Sequence, residues 1–160
     1  MDDLETVCYI SLSSSSTSPE LFGDARARLK TDLVSVDGSD LEKDSRFKKT
    51  KEQVKDLIES PGKQSQLTYS QTGTEFQKKV WDYLVYSTKP GSVLSYSDIA
   101  DGLELPRTSS RAIGTAVGAN KLAIIVPCHR ILRRDGNLGG YRWGIDLKKK
   151  ILALEGYSVK

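Results

Sequence analysis

The only histidine among 160 residues stands directly beside one of two cysteines, as His129 and Cys128 in the run IIVPCHR. A free thiol has a pKa of about 8.5, so near neutral pH it becomes a useful nucleophile only beside a base or a cation. His129 and Arg130 are the adjacent candidates. Chain neighbours on an extended backbone point to opposite faces, so a water rather than a direct contact could join thiol and imidazole. Packing as a small buried hydrophobe is the commonest fate of free cysteine, and the tetrapeptide alone does not decide between the two.

The surrounding chain must place that thiol. Ile124, Ile125 and Val126 predict a buried strand that ends at Pro127, whose fixed φ and missing N–H halt regular pairing. Upstream, Thr74 and Gln77 form a capping box, and Phe76, Val80 and Leu84 recur at helical spacing as a buried stripe with Trp81 beside it. Pro90-Gly91 makes a turn. Ser95 caps a second helix from 96 to about 101, with Asp98 in its first turn and Gly102 at its end. Pro106 suits the first position of a third helix reaching about 119. Two short helices joined in this way make a helix-turn-helix pattern, which is a DNA-binding motif and also a frequent structural unit.

The third helix turns Ile113, Ala116 and Val117 inward, while Arg111, Gly114, Thr115 and Gly118 share an outer side with little bulk. Such a slim surface suits a minor groove only about 6 Å wide, or else tight packing against another helix. Asn120 follows, a residue that commonly caps a helix in αL geometry. A last helix spans about 146–155 before Gly156, with Leu147, Ile151 and Leu154 inward. Lys148 and Glu155, seven residues apart, share nearly one of its faces. A carboxylate in the final turn opposes the helix dipole, which hints that Glu155 has a partner.

The first half is less informative. Residues 11–18 read as a serine-rich loop, 20–30 as a short helix, 33–36 as a strand before Asp37-Gly38, and 44–60 as a charged helix broken by Pro61-Gly62. Cys8 falls in the apolar stretch 7–10 and reads as a buried strand thiol. Residues 1–72 carry 10 Lys/Arg against 13 Asp/Glu, net −3, and residues 73–160 carry 14 against 8, net +6. The attraction for a polyanion therefore lies in the half that holds Cys128. Two cysteines and one histidine cannot supply a four-ligand Cys/His zinc site, and no CxxC is present. No apolar run is long enough to cross a bilayer, and the acidic start MDDLE is unlike a secretory signal, so an intracellular protein is expected.

GTEFQ, VW, LSYSDIA, SSRAIGTAVGAN, IVPCHR, GGYRWG and LEG occur in that order between Gly73 and Gly156. This series closely resembles the O6-alkylguanine-DNA alkyltransferase family. The resemblance implies an α+β fold: a small N-terminal α+β domain over 1–70 and a mainly helical DNA-binding and alkyl-transfer domain over 71–160, with a winged-helix-like helix-turn-helix. It implies that Glu155 orients His129, which removes the proton of Cys128 through water. Tyr96 would assist departure of guanine, and Lys148 would approach O6. It also implies that Arg111 fills the space of an extruded nucleotide on a helix containing Gly114, Thr115 and Gly118. Asn120 would support the site, and Tyr141 would stack on the base, with Arg142, Trp143 and Arg130 also at the DNA or base face. The implied partner is double-stranded DNA bearing O6-alkylguanine, met by a monomer in the nucleus of a eukaryote or the cytoplasm otherwise. No cofactor or metal is implied.

Two rival classes use some of the same residues. A non-catalytic lesion binder would use the helix-turn-helix, but the family-like proteins of that kind lack the cysteine. A cysteine hydrolase would use Cys128, His129 and Glu155 but has no need of a basic second half. Relatives with serine and glycine at the positions of Arg142 and Trp143 have a roomier pocket. Efficient reaction with O6-methyl lesions and slow labelling by free O6-benzylguanine are therefore expected, and rapid labelling in a gel or mass assay would contradict this.

Overall fold

The computed structural model describes residues 6–7, 9–12, 43, 45–60 and 67–159. The expected helix over 20–30, the strand over 33–36, the Pro61-Gly62 break and Cys8 lie outside them, as does most of the serine-rich loop. In chain order the described elements are β1 (Thr6–Val7), α1 (Ser45–Glu59), β2 (Thr68–Tyr69), α2 (Glu75–Ser87), β3 (Leu94–Ser95), α3 (Tyr96–Gly102), α4 (Ser110–Gly118), β4 (Ile131–Leu132) and α5 (Ile145–Leu154). Short 3-10 helices occupy Arg107–Ser109 and Cys128–Arg130. The mixed α+β composition agrees with the expected class.

Helix α2 starts where its sequence dictates. Gln77 N–H donates to Thr74 Oγ1 at 3.2 Å and the Gln77 side chain accepts from Thr74 N–H at 3.0 Å, so two otherwise orphaned amides are satisfied. Val80, Trp81 and Leu84 are buried, and Trp81 Nε1–H donates to the carbonyl of Ala116 in α4 at 2.8 Å. The expected stripe is shorter at its N-terminal end: Phe76, in the first turn, is 36% exposed, and the core begins a turn later.

Helix α3 is capped in the same reciprocal way by Ser95 and Asp98. Pro106 does not open the next α-helix. It precedes the 3-10 turn Arg107–Ser109, and α4 starts only at Ser110. Ile113, Ala116 and Val117 face inward as the pattern requires, packed against α2 and α3.

Two parallel pairings join segments far apart in sequence. Thr6 and Val7 pair with Thr68 and Tyr69, and Leu94 and Ser95 pair with Ile131 and Leu132. The second pair sets the start of α3, and so Tyr96, beside the backbone that leaves Arg130.

The predicted strand over 124–126 is absent. Ile125 N–H donates to Ala123 O, Val126 N–H to Leu122 O and Cys128 N–H to Val126 O, at 2.8–3.0 Å, a succession of tight turns with Ile124 at φ 68°. A β-branched residue in that region is strained by about 1–3 kcal/mol. The Asn120 amide compensates, because its Nδ2 donates to Leu122 O and Val126 O while its Oδ1 accepts from Leu122 N–H. Asn120 does not have the expected αL backbone; among the described non-glycine residues only Glu104 and Ile124 have positive φ. Side-chain hydrogen bonding thus overrides the local β preference.

Helix α5 begins one residue before its predicted start and buries a different face from the one its apolar pattern suggested. Lys148 and Leu152 are fully buried, Leu147 and Ile151 are half-buried, and Leu154 is 66% exposed. Replacing Leu84, at 0% exposure, with alanine should destabilise the fold by about 2–5 kcal/mol. Thr74→Ala, which removes a surface cap, should cost about 1 kcal/mol. Urea unfolding of the two variants checks the order.

Candidate active site

Cys128 opens a 3-10 turn and is 5% exposed, with its sulfur at the wall of a cavity of about 350 Å³. Tyr96, Gly114, Val117, Gly118 and Asn120 form one side of that cavity, and the segment from Gly140 to Trp143 forms the other. The volume suits a compact ring system. Gly114 brings α4 close to Tyr96: a Cβ there would sit 3.6 Å from the phenol ring. Tyr141 and Trp143 meet edge to face at 5.3 Å, and the Arg142 guanidinium lies 5.8 Å from the centre of the Trp143 ring.

Asn120 does more than support the turn. Its Nδ2 lies 3.2 Å from Cys128 Sγ and donates to it. Burial pushes the thiol up to about 11, against smaller downward pulls from Asn120 and Lys148. The resting sulfur is therefore a protonated thiol at neutral pH and needs a base.

The base stands next in the chain. His129 is fully buried and its Nε2 lies 2.9 Å from Glu155 Oε1. A carboxylate only accepts, so Nε2 carries the proton and Nδ1 is the free acceptor. That Nδ1 is buried with no protein partner. Burial lowers the histidine pKa more than Glu155 raises it, so the ring is a neutral imidazole.

Glu155 is shared. Arg130 donates to it twice, Nη2 to Oε1 at 2.7 Å and Nε to Oε2 at 3.0 Å, and its Nη1 donates to Thr88 Oγ1 at 3.1 Å. Thr88 Oγ1–H in turn donates to Leu84 O at the end of α2. Burial alone would raise the Glu155 carboxyl; the hydrogen bonds and charges of His129 and Arg130 instead bring it to about 2. Arg130 was expected at the DNA face, and the structure corrects this: it is 9% exposed and committed to Glu155 and Thr88. Nothing in the sequence marked Thr88.

Lys148 also departs from expectation. It is not among the residues that line the cavity: its buried ammonium stands 5.9 Å from the centre of the Tyr141 ring and donates to the carbonyls of Ile131, Leu138 and Gly140, lashing β4 to the cavity wall. Burial lowers its pKa to about 8. Three carbonyls satisfy an ammonium's three donors, which is why the amphipathic reading of α5 failed. Lys149 and Lys150 are exposed, as expected.

Tyr96 and Tyr141 are both held as neutral phenols, chiefly by burial, and the Tyr141 hydroxyl is buried without a partner. Arg111 and Thr115 are exposed on the outer side of α4, away from the cavity wall, where Thr115 Oγ1–H donates back to Arg111 O. Gly114 and Gly118 are on that wall, and so is Val117, which sequence reasoning had assigned only to the core.

A sequence model described as the DNA-binding domain of 6-O-methylguanine DNA methyltransferase matches residues 75–157. The chain belongs to the 6-O-methylguanine DNA methyltransferase family. A methylated-DNA–protein-cysteine methyltransferase of Scheffersomyces stipitis is 45% identical over 111 residues, 69% of this chain and 57% of the relative. The inducible methylated-DNA–protein-cysteine methyltransferase of Bacillus subtilis is 36% identical over 85% of this chain and 72% of its own length. Mycobacterium tuberculosis OGT, solved in complex with DNA, superposes with a TM-score of 0.62 at 37% identity, covering 69% of this chain and 66% of that one. The chain spans about half the length of the curated relatives it matches, from 39% to 57% for the first five. The family match covers the whole of the site from Tyr96 to Glu155.

The Glu155 geometry fixes a pH response. A carboxyl whose folded pKa of about 2 lies below an unfolded value of about 4.3 contributes stability above pH 4.3 that is lost as pH falls through 2. Arg130→Met leaves burial to raise that carboxyl. It should cost about 3 kcal/mol at neutral pH and move the acid-unfolding midpoint upward in circular dichroism. An unchanged midpoint would count against the arrangement.

Proposed function

We propose that the protein repairs DNA by transferring the alkyl group of an O6-alkylguanine directly to Cys128, once per molecule. One observation carries the reading: a buried thiol at the wall of a base-sized cavity, followed by an imidazole whose outer nitrogen is held by a carboxylate, in a chain of this family. The names of the relatives and the DNA-bound structure of the mycobacterial neighbour support DNA as the substrate.

In this reading residues 71–160 form the DNA-binding and transfer unit and the first 70 an α+β unit, acting as a monomer inside the cell. Helices α3 and α4 act as a helix-turn-helix of the winged-helix type. The outer face of α4, with Arg111 and Thr115, enters the minor groove, and Arg111 takes the space of the extruded nucleotide. Extrusion is required because the O6 carbon of a stacked base is out of reach. The guanine then lies between Gly114 and Gly118 on one side and Tyr141 on the other.

His129 Nδ1 takes the thiol proton through a water. Sγ attacks the alkyl carbon, the carbon–O6 bond breaks, and its electron pair leaves with guanine. Tyr96 gives guanine a proton and regains one from solvent, while His129 releases the thiol proton. A resting phenol and a neutral imidazole are the forms these roles need. The electrophile is a saturated carbon, so no oxyanion hole enters. Lys148 orients the cavity wall through its three carbonyls rather than touching the base. The product is a thioether, which water does not cleave, so the protein reacts once.

With a duplex containing O6-methylguanine, the peptide bearing Cys128 should gain the mass of one methyl group, and repair should stop at one lesion per protein. Lesions removed with the thiol unmodified, or many cleared by one molecule, would sink the proposal. Cys128→Ala should bind the lesion without transfer, and His129→Asn should slow transfer by about 10²–10⁴-fold.

A further inference from the structure

The wall opposite α4 is held by a residue far away in sequence. Trp143 Nε1–H donates to Ser11 Oγ at 2.9 Å, across 132 positions. The segment Tyr141-Arg142-Trp143 lies between glycines, Gly139 at φ 62° before it and Gly144 at φ 98° after it, both in the left-handed region that lets a chain turn with little steric resistance, and Gly144 N–H donates to Tyr141 O at 3.1 Å. A Cβ at Gly140 or Gly144 would meet nothing within 4 Å. Lys148 holds the leading end of the segment through the carbonyls of Leu138 and Gly140, and the Ser11 hydrogen bond fixes the indole at the other end.

Ser11 is itself fixed. Ile10 N–H donates to Lys121 O at 2.8 Å and Ala123 N–H donates to Ile10 O at 3.1 Å, so the preceding residue bridges the turn that runs from Asn120 toward Cys128. Lys121 Nζ donates to Thr72 O at 2.7 Å and steadies the same turn. One short N-terminal segment thus spans both walls of the cavity, the nucleophile's turn through Ile10 and the aromatic wall through Ser11.

We infer that Ser11 is a positioning residue that sets the size of alkyl group the cavity admits, by holding Trp143 against the mouth of the site. This rests on the transfer reading above and adds a specificity determinant from outside the family-matched residues 75–157. Loss of the hydrogen bond frees the indole to swing on its glycine-flanked segment and opens space beside Cys128. The outcome is a change of selectivity between small and bulky groups rather than a uniform loss.

The test compares the full chain with Ser11→Ala, Ser11→Thr, Trp143→Phe and the double variant Ser11→Ala/Trp143→Phe. Duplexes carrying O6-methylguanine and O6-benzylguanine give the transfer rates. The benzyl-to-methyl ratio should rise about tenfold in Ser11→Ala, stay at the parent value in Ser11→Thr, which keeps the acceptor oxygen, and show no further rise when Ser11→Ala is added to Trp143→Phe. An equal ratio in the parent and Ser11→Ala, or additive effects in the double variant, would overturn the inference.

A second arm needs no DNA. Methyl and benzyl methanethiosulfonate are applied to the folded proteins, and the Cys128 peptide is weighed. The benzyl reagent should gain on the methyl reagent in Ser11→Ala, and equal gains would again overturn the inference. Transfer failing from every duplex while the thiol reagents still discriminate would locate the error in the repair reading and leave the role of Ser11 at the cavity standing.

Discussion

A single buried carboxylate, Glu155, is the knot through which the site is tied. Its side chain is 3% exposed and its two oxygens receive three hydrogen bonds, one from His129 and two from Arg130. Removing charge from water costs several kcal/mol, and an acid at a helix C-terminus also opposes the dipole. Both penalties are answered by the bidentate guanidinium, the strong form of such pairing. The result joins three elements: the end of α5, the 3-10 turn of Cys128–Arg130, and the end of α2 through Thr88. The Pro90-Gly91 turn closes over the same point, where a Cβ on Gly91, at φ 78°, would lie 2.9 Å from the Glu155 carbonyl. The imidazole inherits its orientation from this knot. With Nε2 committed to Glu155, only Nδ1 is left to act.

The nucleophile is held in a different way. Regular secondary structure gives out between the end of α4 and β4, and Asn120 takes its place, with one amide group meeting Leu122, Val126 and Cys128 Sγ. Lys148 does the same for the loop leading to the aromatic wall, using an ammonium where a strand partner would otherwise stand. Both devices place polar groups in the interior with their bonding capacity used, which rigidifies a backbone that has no ladder of its own. The strain at Ile124 is tolerated because this surrounding network determines the turn.

How far the sequence could be read follows from which interactions are local. The capping boxes at Thr74 and Ser95, the inward face of α4 and the Pro90-Gly91 turn depend on residues within four positions of one another, and all of them form. The Cys128, His129 and Glu155 constellation was legible because motif order carried it; no periodicity would have joined residues 26 apart. The failures share one physical cause. Ile124–Ile125–Val126 reads as a strand unless the Asn120 amide is known to reach it. The resemblance puts Lys148 at O6, and nothing local shows the three carbonyls that hold it; Leu154 reads as inward from apolar spacing alone, which cannot show that the lysine takes the buried face. Arg130 is expected at the DNA or base face because its actual partners, Thr88 and Glu155, lie 42 and 25 positions away.

The protonation states make a joint constraint on the proposed chemistry. A protein that reacts once loses its whole capacity to any stray electrophile, so a resting thiolate would be a liability. Burial, which raises the Cys128 thiol to about 11, keeps the sulfur protonated and poorly reactive in the free protein. The same burial keeps His129 neutral and therefore able to accept the proton, while Arg130 holds Glu155 ionised to stabilise the imidazolium that forms. In the proposed reaction a base seated between α4 and Tyr141 brings the alkyl carbon to the sulfur at the moment a water links Sγ to Nδ1. Reactivity is then created by the arrival of the substrate. Seen in this way the raised thiol is compatible with nucleophilic attack, because the proton is taken during the displacement and no free thiolate has to accumulate beforehand.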